Sequence, residues 1–256
     1  MQVSASQALS ALNRSAPVTN TQPDLLIAGA TGVLGNAVLR RLVGVHRYAH
    51  TLILAREPVQ QGMRALSLHV VAGEIAQWPL QMRCDVAVIM FDPPRMYYER
   101  ERALWTPEPA QLPALAAWLK GCGAQTLAVV LPHAQGTLPE SLKSGLASLD
   151  EQALASLGFE RLLILRSAQK PAELRHTHPL DRLAHWMLSI FNFMVPSQEQ
   201  PVRTTKIAEI VDALLQSAPS GITVLAPQQM WELSQKDVAG VLAAVKTRFD
   251  SKMDFN

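Results

Sequence analysis

Only two cysteines, Cys84 and Cys122, occur in 256 residues. They stand far apart with no Cys-x-x-Cys spacing, which excludes a disulfide-stapled scaffold, argues against cysteine metal ligation and fits reduced thiols in a cytoplasmic setting. Charge of either sign is not in excess: 23 Lys and Arg against 21 Asp and Glu leave a net +2, which gives no electrostatic case for nucleic acid. No apolar run is long enough to span a bilayer; the longest toward the C-terminus, Leu183 to Val195, is short and broken by His185, Ser189 and Asn192. A buried helix is expected there, with a pocket lid or an oligomer face as the alternatives. Residues 1–23 are rich in Ser, Ala, Gln, Asn and Thr and carry no apolar core behind a basic start, so a flexible tail is expected rather than a secretory leader. Tyrosine is scarce, with Tyr48, Tyr97 and Tyr98 the only three. That shortage bears on the chemistry.

What is present is the patterning of an α/β protein. Hydrophobic residues make up 48% and charged residues 17%, enough for a sizeable core in a single folded body. The apolar run Leu25 to Ala28 leads straight into Gly29-Ala30-Thr31-Gly32-Val33-Leu34-Gly35 and then into the helix-like Asn36 to Leu42. A strand that ends in glycines and turns into a helix presents free backbone N–H groups where the helix dipole also favours an anion, so this loop is expected to hold the diphosphate of a dinucleotide. Gly29 is assigned the tight turn, Gly32 the close approach of backbone to phosphate, and Gly35 the close packing of helix on strand. The bland alternative is a structural strand-to-helix turn. Further strands are predicted at Thr51 to Ala55, Leu68 to Val71, Asp85 to Met90, Thr126 to Leu131 (stopped by Pro132) and Arg161 to Arg166. Helices are predicted from about Ala110 to Lys120, and from Leu149 to Leu157 before Gly158. This alternation specifies a doubly wound, parallel Rossmann sheet.

On these residues the chain resembles the atypical short-chain dehydrogenase/reductase group, the NAD(P)H-binding, NmrA-like proteins with a Gly-x-x-Gly-x-x-Gly loop. Leu52 to Arg56 is similar to that group's second strand ending in a basic residue, and Val71-Ala72-Gly73-Glu74 to its Gly-Asp turn, with glutamate for aspartate. Cys84 to Ile89 resembles the acidic start of the fourth strand. Leu157 to Arg166 resembles the entry to the sixth, although the group continues Arg-Pro-Gly where this chain has Arg166-Ser167-Ala168. The resemblance covers Asp24 to Ala168. It implies an NAD(P)-binding domain over residues 24–169, a C-terminal lobe over 170–256 for substrate or partner, and Gly73 and Glu74 near the adenine, with a purely structural turn as the equal alternative for those two. Arg56 at the end of the second strand favours the 2′-phosphate of NADP, with NAD as the alternative, because a guanidinium grips phosphate through two N–H groups.

Hydride-transferring members of the wider superfamily use a tyrosine four residues ahead of a lysine, plus a serine after the fifth strand. This chain has no Tyr-x-x-x-Lys; Lys143 and Ala147 fall where the pair is expected, and Pro132-His133-Ala134-Gln135-Gly136 stands where the serine is. His133, just past a strand's C-terminal edge, is the candidate proton donor, against an ordinary loop histidine. Asp92, Tyr97 and Tyr98 follow the fourth strand on the same edge, in a connection marked by Pro93, Pro94, Pro107 and Pro109. His176, His178 and His185 lack an acidic or cysteine partner, so no metal site is expected. Beyond residue 170, Gly221 to Leu225 is predicted as one more strand and Ser234 to Arg248 as a terminal helix with Ala239, Leu242, Ala243 and Val245 inward. Leu112, Leu115, Trp118 and Leu119 form either a homodimer face or plain core. Two functions of different class remain: a non-catalytic or redox-sensing module that binds NADP(H) and signals through a protein partner, or an NADPH-dependent reductase of a small apolar carbonyl or quinone.

Overall fold

The computed structural model describes residues 22–58, 66–95, 97–133, 152–168 and 202–253. Seven strands, β1 (Leu25–Ala28), β2 (Thr51–Ala55), β3 (Leu66–Val70), β4 (Val86–Met90), β5 (Thr126–His133), β6 (Arg161–Ala168) and β7 (Gly221–Leu225), form one sheet in the order β3-β2-β1-β4-β5-β6-β7. Every pairing is parallel. The order reverses beside β1, which creates the crevice between β1 and β4 where open α/β sheets take their ligands.

Helices cover both faces, so the central strands read as unbroken apolar runs and not as alternations. Successive residues still point to opposite sides. Leu25 and Ile27 of β1, with Val86, Val88 and Met90 of β4, face α1 (Gly32–Gly44) and a later helix at Thr204–Ser217. Leu26 and Ala28, with Ala87 and Ile89, face the helix at Leu112–Gly121 on the other side. In chain order the α-helices among the described residues are α1, α2 (Glu99–Arg102), α3 (Leu112–Gly121), α4 (152–156), α5 (Thr204–Ser217), α6 (Pro227–Ser234) and α7 (Val238–Met253). Leu34, Val38 and Leu42, spaced four apart, are the buried stripe of α1.

Burial resolves one open alternative. Leu112, Leu115, Trp118 and Leu119 are core against the sheet. Trp118 also meets Trp78 edge to face at 5.1 Å, and Trp78 meets Trp105 in the same way at 5.0 Å.

Several expected boundaries move. The fifth strand does not stop at Pro132: β5 runs on to His133, with Pro132 in register with Ser167 of β6. Its register with β4 ends at Met90 opposite Val130, so Pro132 sits where β5 has locally become an edge and its missing N–H breaks no ladder on the β4 side. The terminal helix does not begin at Ser234, which instead closes α6; α7 starts at Val238, and the Asp237 carboxylate accepts the Gly240 N–H at 2.8 Å. Its buried positions are therefore Val241 and Val245, while Ala239 and Ala243 are exposed. Residues 202–253 supply β7 to the same sheet and lay α5 against α1. No described helix is long and apolar enough to cross a membrane. Leu183 to Val195, His176, His178 and His185 lie outside the described residues.

Candidate functional site

The junction of β1 and α1 adopts the expected strand–turn–helix path. Gly29 and Gly32 have φ of +77° and +66°, values L side chains rarely adopt, and the Gly35 N–H donates to the Thr31 carbonyl at 3.0 Å to open the helix. A Cβ at Gly29 would lie 1.9 Å from the Met90 carbonyl oxygen, so the turn is pressed against the end of β4. Ala30, Thr31 and Leu34 are buried, whereas Val33 is 54% exposed. α1 has no acidic residue in its first turn, and Thr31 at its N-cap makes no side-chain capping bond. Its first N–H groups must find acceptors elsewhere in the fold.

Those acceptors are two carboxylates from the connection between β4 and α3. The Gly32 N–H donates to Glu101 Oε2 at 3.1 Å, and the Leu34 N–H to Asp92 Oδ2 at 2.8 Å. Thr31 Oγ1 donates to the Asp92 carbonyl at 2.5 Å and shares a bond with Thr106 Oγ1 at 2.9 Å. Glu101 sits in α2 and is buried; Arg95 holds it through its backbone N–H at 3.1 Å, through Nε at 2.9 Å and through Nη2. The Arg95 guanidinium lies 3.8 Å over the Tyr98 ring. Burial pushes the Asp92 carboxyl above the usual carboxylate range, partly countered by the N–H groups of Leu34 and Val33. Burial pushes Glu101 the same way, but the hydrogen bonds from Arg95 and Gly32 outweigh it and hold that carboxyl low.

The same connection then crosses the C-terminal ends of β1 and β2. The Arg56 N–H donates to the Ala103 carbonyl at 2.7 Å, the Trp105 N–H to Leu54 at 2.9 Å and the Gly29 N–H to Trp105 at 3.2 Å, with Leu104 bridging Ala55 in antiparallel sense. In this arrangement a diphosphate does not fit on the first turn of α1. The donors are engaged by carboxylates, and a Cβ at Gly32 would already lie 2.2 Å from Asp92 Oδ2, so no room stands open above that glycine.

The remaining candidates are spread along the same sheet edge. Arg56 follows β2 with its side chain exposed, and Gly73 and Glu74, both exposed, form the turn after β3, where Gly73 has φ +71°. His133 closes β5, and its side chain and residues 134–136 lie outside the description. Tyr97 and Tyr98 are 81% and 51% exposed. Tyr48 precedes β2, at the opposite edge of the sheet, and burial with Asp212 nearby pushes its phenol up to about 12. Cys84 and Cys122 are both buried, and burial pushes their thiols up to about 12 and about 11, so neither is a ready nucleophile or ligand.

Sequence reasoning placed Asp92 on this edge but did not pair it with the glycine loop, and it did not single out Glu101 at all. The available signal was the bare first turn of α1, which lacks an acid of its own.

Strand order, register and the β1–glycine turn–α1 unit define a Rossmann-type α/β fold. No family model matches the chain, and no curated protein sequence matches it. Among solved structures, it is similar to a Rossmann-fold NAD(P)-binding family protein from Shigella flexneri, with 14% identity, a TM-score of 0.43 and 76% of this chain covering 87% of that one. It is also similar to a nucleoside-diphosphate-sugar epimerase from Staphylococcus aureus, at 15% identity and TM-score 0.47 over 79% and 70% of the two chains. A third is the Bordetella bronchiseptica enzyme WbmH solved with NAD+, at 11% identity and TM-score 0.44 over 83% and 80%.

Proposed function

We propose that this chain is a dinucleotide-responsive Rossmann module that binds NADP(H) in preference to NAD(H) and carries no hydride-transfer apparatus of its own. The observation that supports it is the first turn of α1, whose N–H groups grip oxyanions already, in the form of carboxylate oxygens 3.1 and 2.8 Å from Gly32 and Leu34. Gly29, Ala30, Thr31, Gly32, Val33, Leu34 and Gly35 form the cradle in this reading. Arg56, exposed at the end of β2, selects the 2′-phosphate, and Gly73 and Glu74 flank the adenine side. The absence of a Tyr-x-x-x-Lys pair removes the usual proton donor. Tyr97 and Tyr98, exposed on the connection that carries Glu101, make that connection the surface through which occupancy reaches a partner.

A ligand that binds only the native state raises the melting temperature, so NADPH should raise it more than NADH, and both more than buffer. Arg56→Ala should cut the NADPH preference about tenfold while leaving NADH unchanged, because one charge-assisted phosphate contact is removed. No shift with either nucleotide overturns the proposal, as does steady NADPH consumption with a carbonyl or quinone substrate.

A further inference from the structure

Asp92 and Glu101 come from outside the β1–α1 unit, yet they take the donors that this unit offers to a phosphate. The strap that delivers them has few inward side chains: Glu101, Ala103, Trp105 and Pro107 are buried, whereas Tyr97 to Arg100 and Arg102 are exposed. It is bounded by Pro93 and Pro94 on one side and Pro107 on the other, and α2 inside it is a single turn. Its backbone replaces a ligand over β1 and β2 as its carboxylates do over α1, through the bonds from Arg56, Trp105 and Gly29. The charge count is also that of a substitute: two carboxylates and one guanidinium, Arg95, make a net anion at a helix N-terminus. Any diphosphate arriving there meets like charge and filled space.

We propose that Asp92, Glu101 and residues 97–106 are an internal occupant of the dinucleotide crevice, which a bound dinucleotide must expel, so that binding is coupled to undocking of this strap. The inference rests on the dinucleotide-responsive reading above and adds its mechanism of response. The strap-closed state is competent for the fold and incompetent for the ligand, and apparent affinity is lowered by the fraction of time the crevice is closed. Undocking frees Arg95 from Glu101 and removes the acceptors of the Arg56 and Trp105 amides, and it presents the face of α2 that is turned inward in the closed state. A conventional dinucleotide site does the opposite, tightening its surroundings when filled.

The test uses the full chain with NADPH and NADH as probes, read by calorimetry and by amide hydrogen exchange. Asp92→Ala/Glu101→Ala should bind at least about tenfold more tightly than the natural chain, because the competing state is removed. In the natural chain, saturating nucleotide should speed exchange at the Arg56 and Trp105 amides while protecting those of Val33 and Leu34. Equal affinity in the two proteins, or added protection at Arg56 and Trp105, overturns the strap and leaves dinucleotide binding standing. Absence of binding to both proteins overturns dinucleotide binding and the strap with it. Should the double variant fail to fold, the exchange pattern of the natural chain decides alone.

Discussion

Helix α1 meets a buried carboxylate near each end, and the two are built differently. Near its C-terminal end, Asp212 of α5 accepts Arg41 Nε at 2.7 Å and Arg47 Nη1 at 2.9 Å, with Gln216 Nε2 at 3.1 Å. Two guanidiniums serve one carboxylate, and side chains satisfy it. At the N-terminal end the ratio is reversed: of two carboxylates only Glu101 holds a guanidinium, that of Arg95, and the backbone of α1 supplies the balance to both. The first cluster is a clamp between two helices and uses nothing the fold offers to a ligand. The second uses the donors that every strand–turn–helix junction of this kind leaves free. A buried acid–arginine pair is therefore informative about ligand binding only when its remaining partners are backbone groups at a helix start.

The contrast can be broken by substitution, beginning with the larger effect. Asp212→Ala removes the charge-assisted hydrogen bonds of Arg41 and Arg47, whose side chains reach solvent, and should cost roughly 2–3 kcal/mol in urea unfolding. It should leave nucleotide affinity unchanged; a change in affinity would erase the distinction between the two clusters. Glu101→Gln removes charge from hydrogen bonds to Arg95 and Gly32 and should cost about 2 kcal/mol at neutral pH. The sign with pH follows from the depressed carboxyl. Its contribution is complete above the ordinary carboxylate range and is lost as pH falls through the lowered folded value. The cost of Glu101→Gln should therefore shrink in acid, and a cost independent of pH would show that the charge on Glu101 stabilises nothing. Asp92, whose carboxyl is raised, runs in the opposite sense: its contribution is largest in acid and declines as pH rises through its folded value. Gly32→Ala should be the mildest, at about 1–2 kcal/mol, from the φ of +66° and the approach to Asp92 Oδ2. In an Asp92→Ala background the clash with that carboxylate disappears while the approach to the Pro93 carbonyl oxygen at 2.8 Å stays, so a double-mutant cycle should return a coupling of about 1 kcal/mol. Strict additivity would mean that Asp92 does not press on Gly32.

Much of the fold was legible in the residues because its signals are local. The glycine loop, Gly158 after α4 and the apolar runs of β1, β2, β4 and β6 each announce themselves within a few positions. Boundaries that depend on neighbours were not. Pro132 reads as a strand stop until the shorter length of β4 is known, and Ser234 reads as a helix start until the break at Gln235–Asp237 separates two helices. The candidate site divides in the same way. Its donors follow from Gly29 to Gly35, but their acceptors lie 58 and 69 positions away in sequence, and no periodicity connects them. Glu101 in particular stands in Glu99-Arg100-Glu101-Arg102, which reads as a solvated charge run; only the fold turns one of those four side chains inward.

The edge-to-face stack of Trp105 on Trp78, and of Trp78 on Trp118, joins the strap to the core layer under α3 through three indoles from two crossovers. Intrinsic emission is thus a label-free gauge of whether this segment is seated. Withdrawal of Trp105 into water should shift the spectrum to the red and weaken near-ultraviolet dichroism, while the far-ultraviolet signal of the surrounding helices holds steady. Loss of both signals together would mark global unfolding instead.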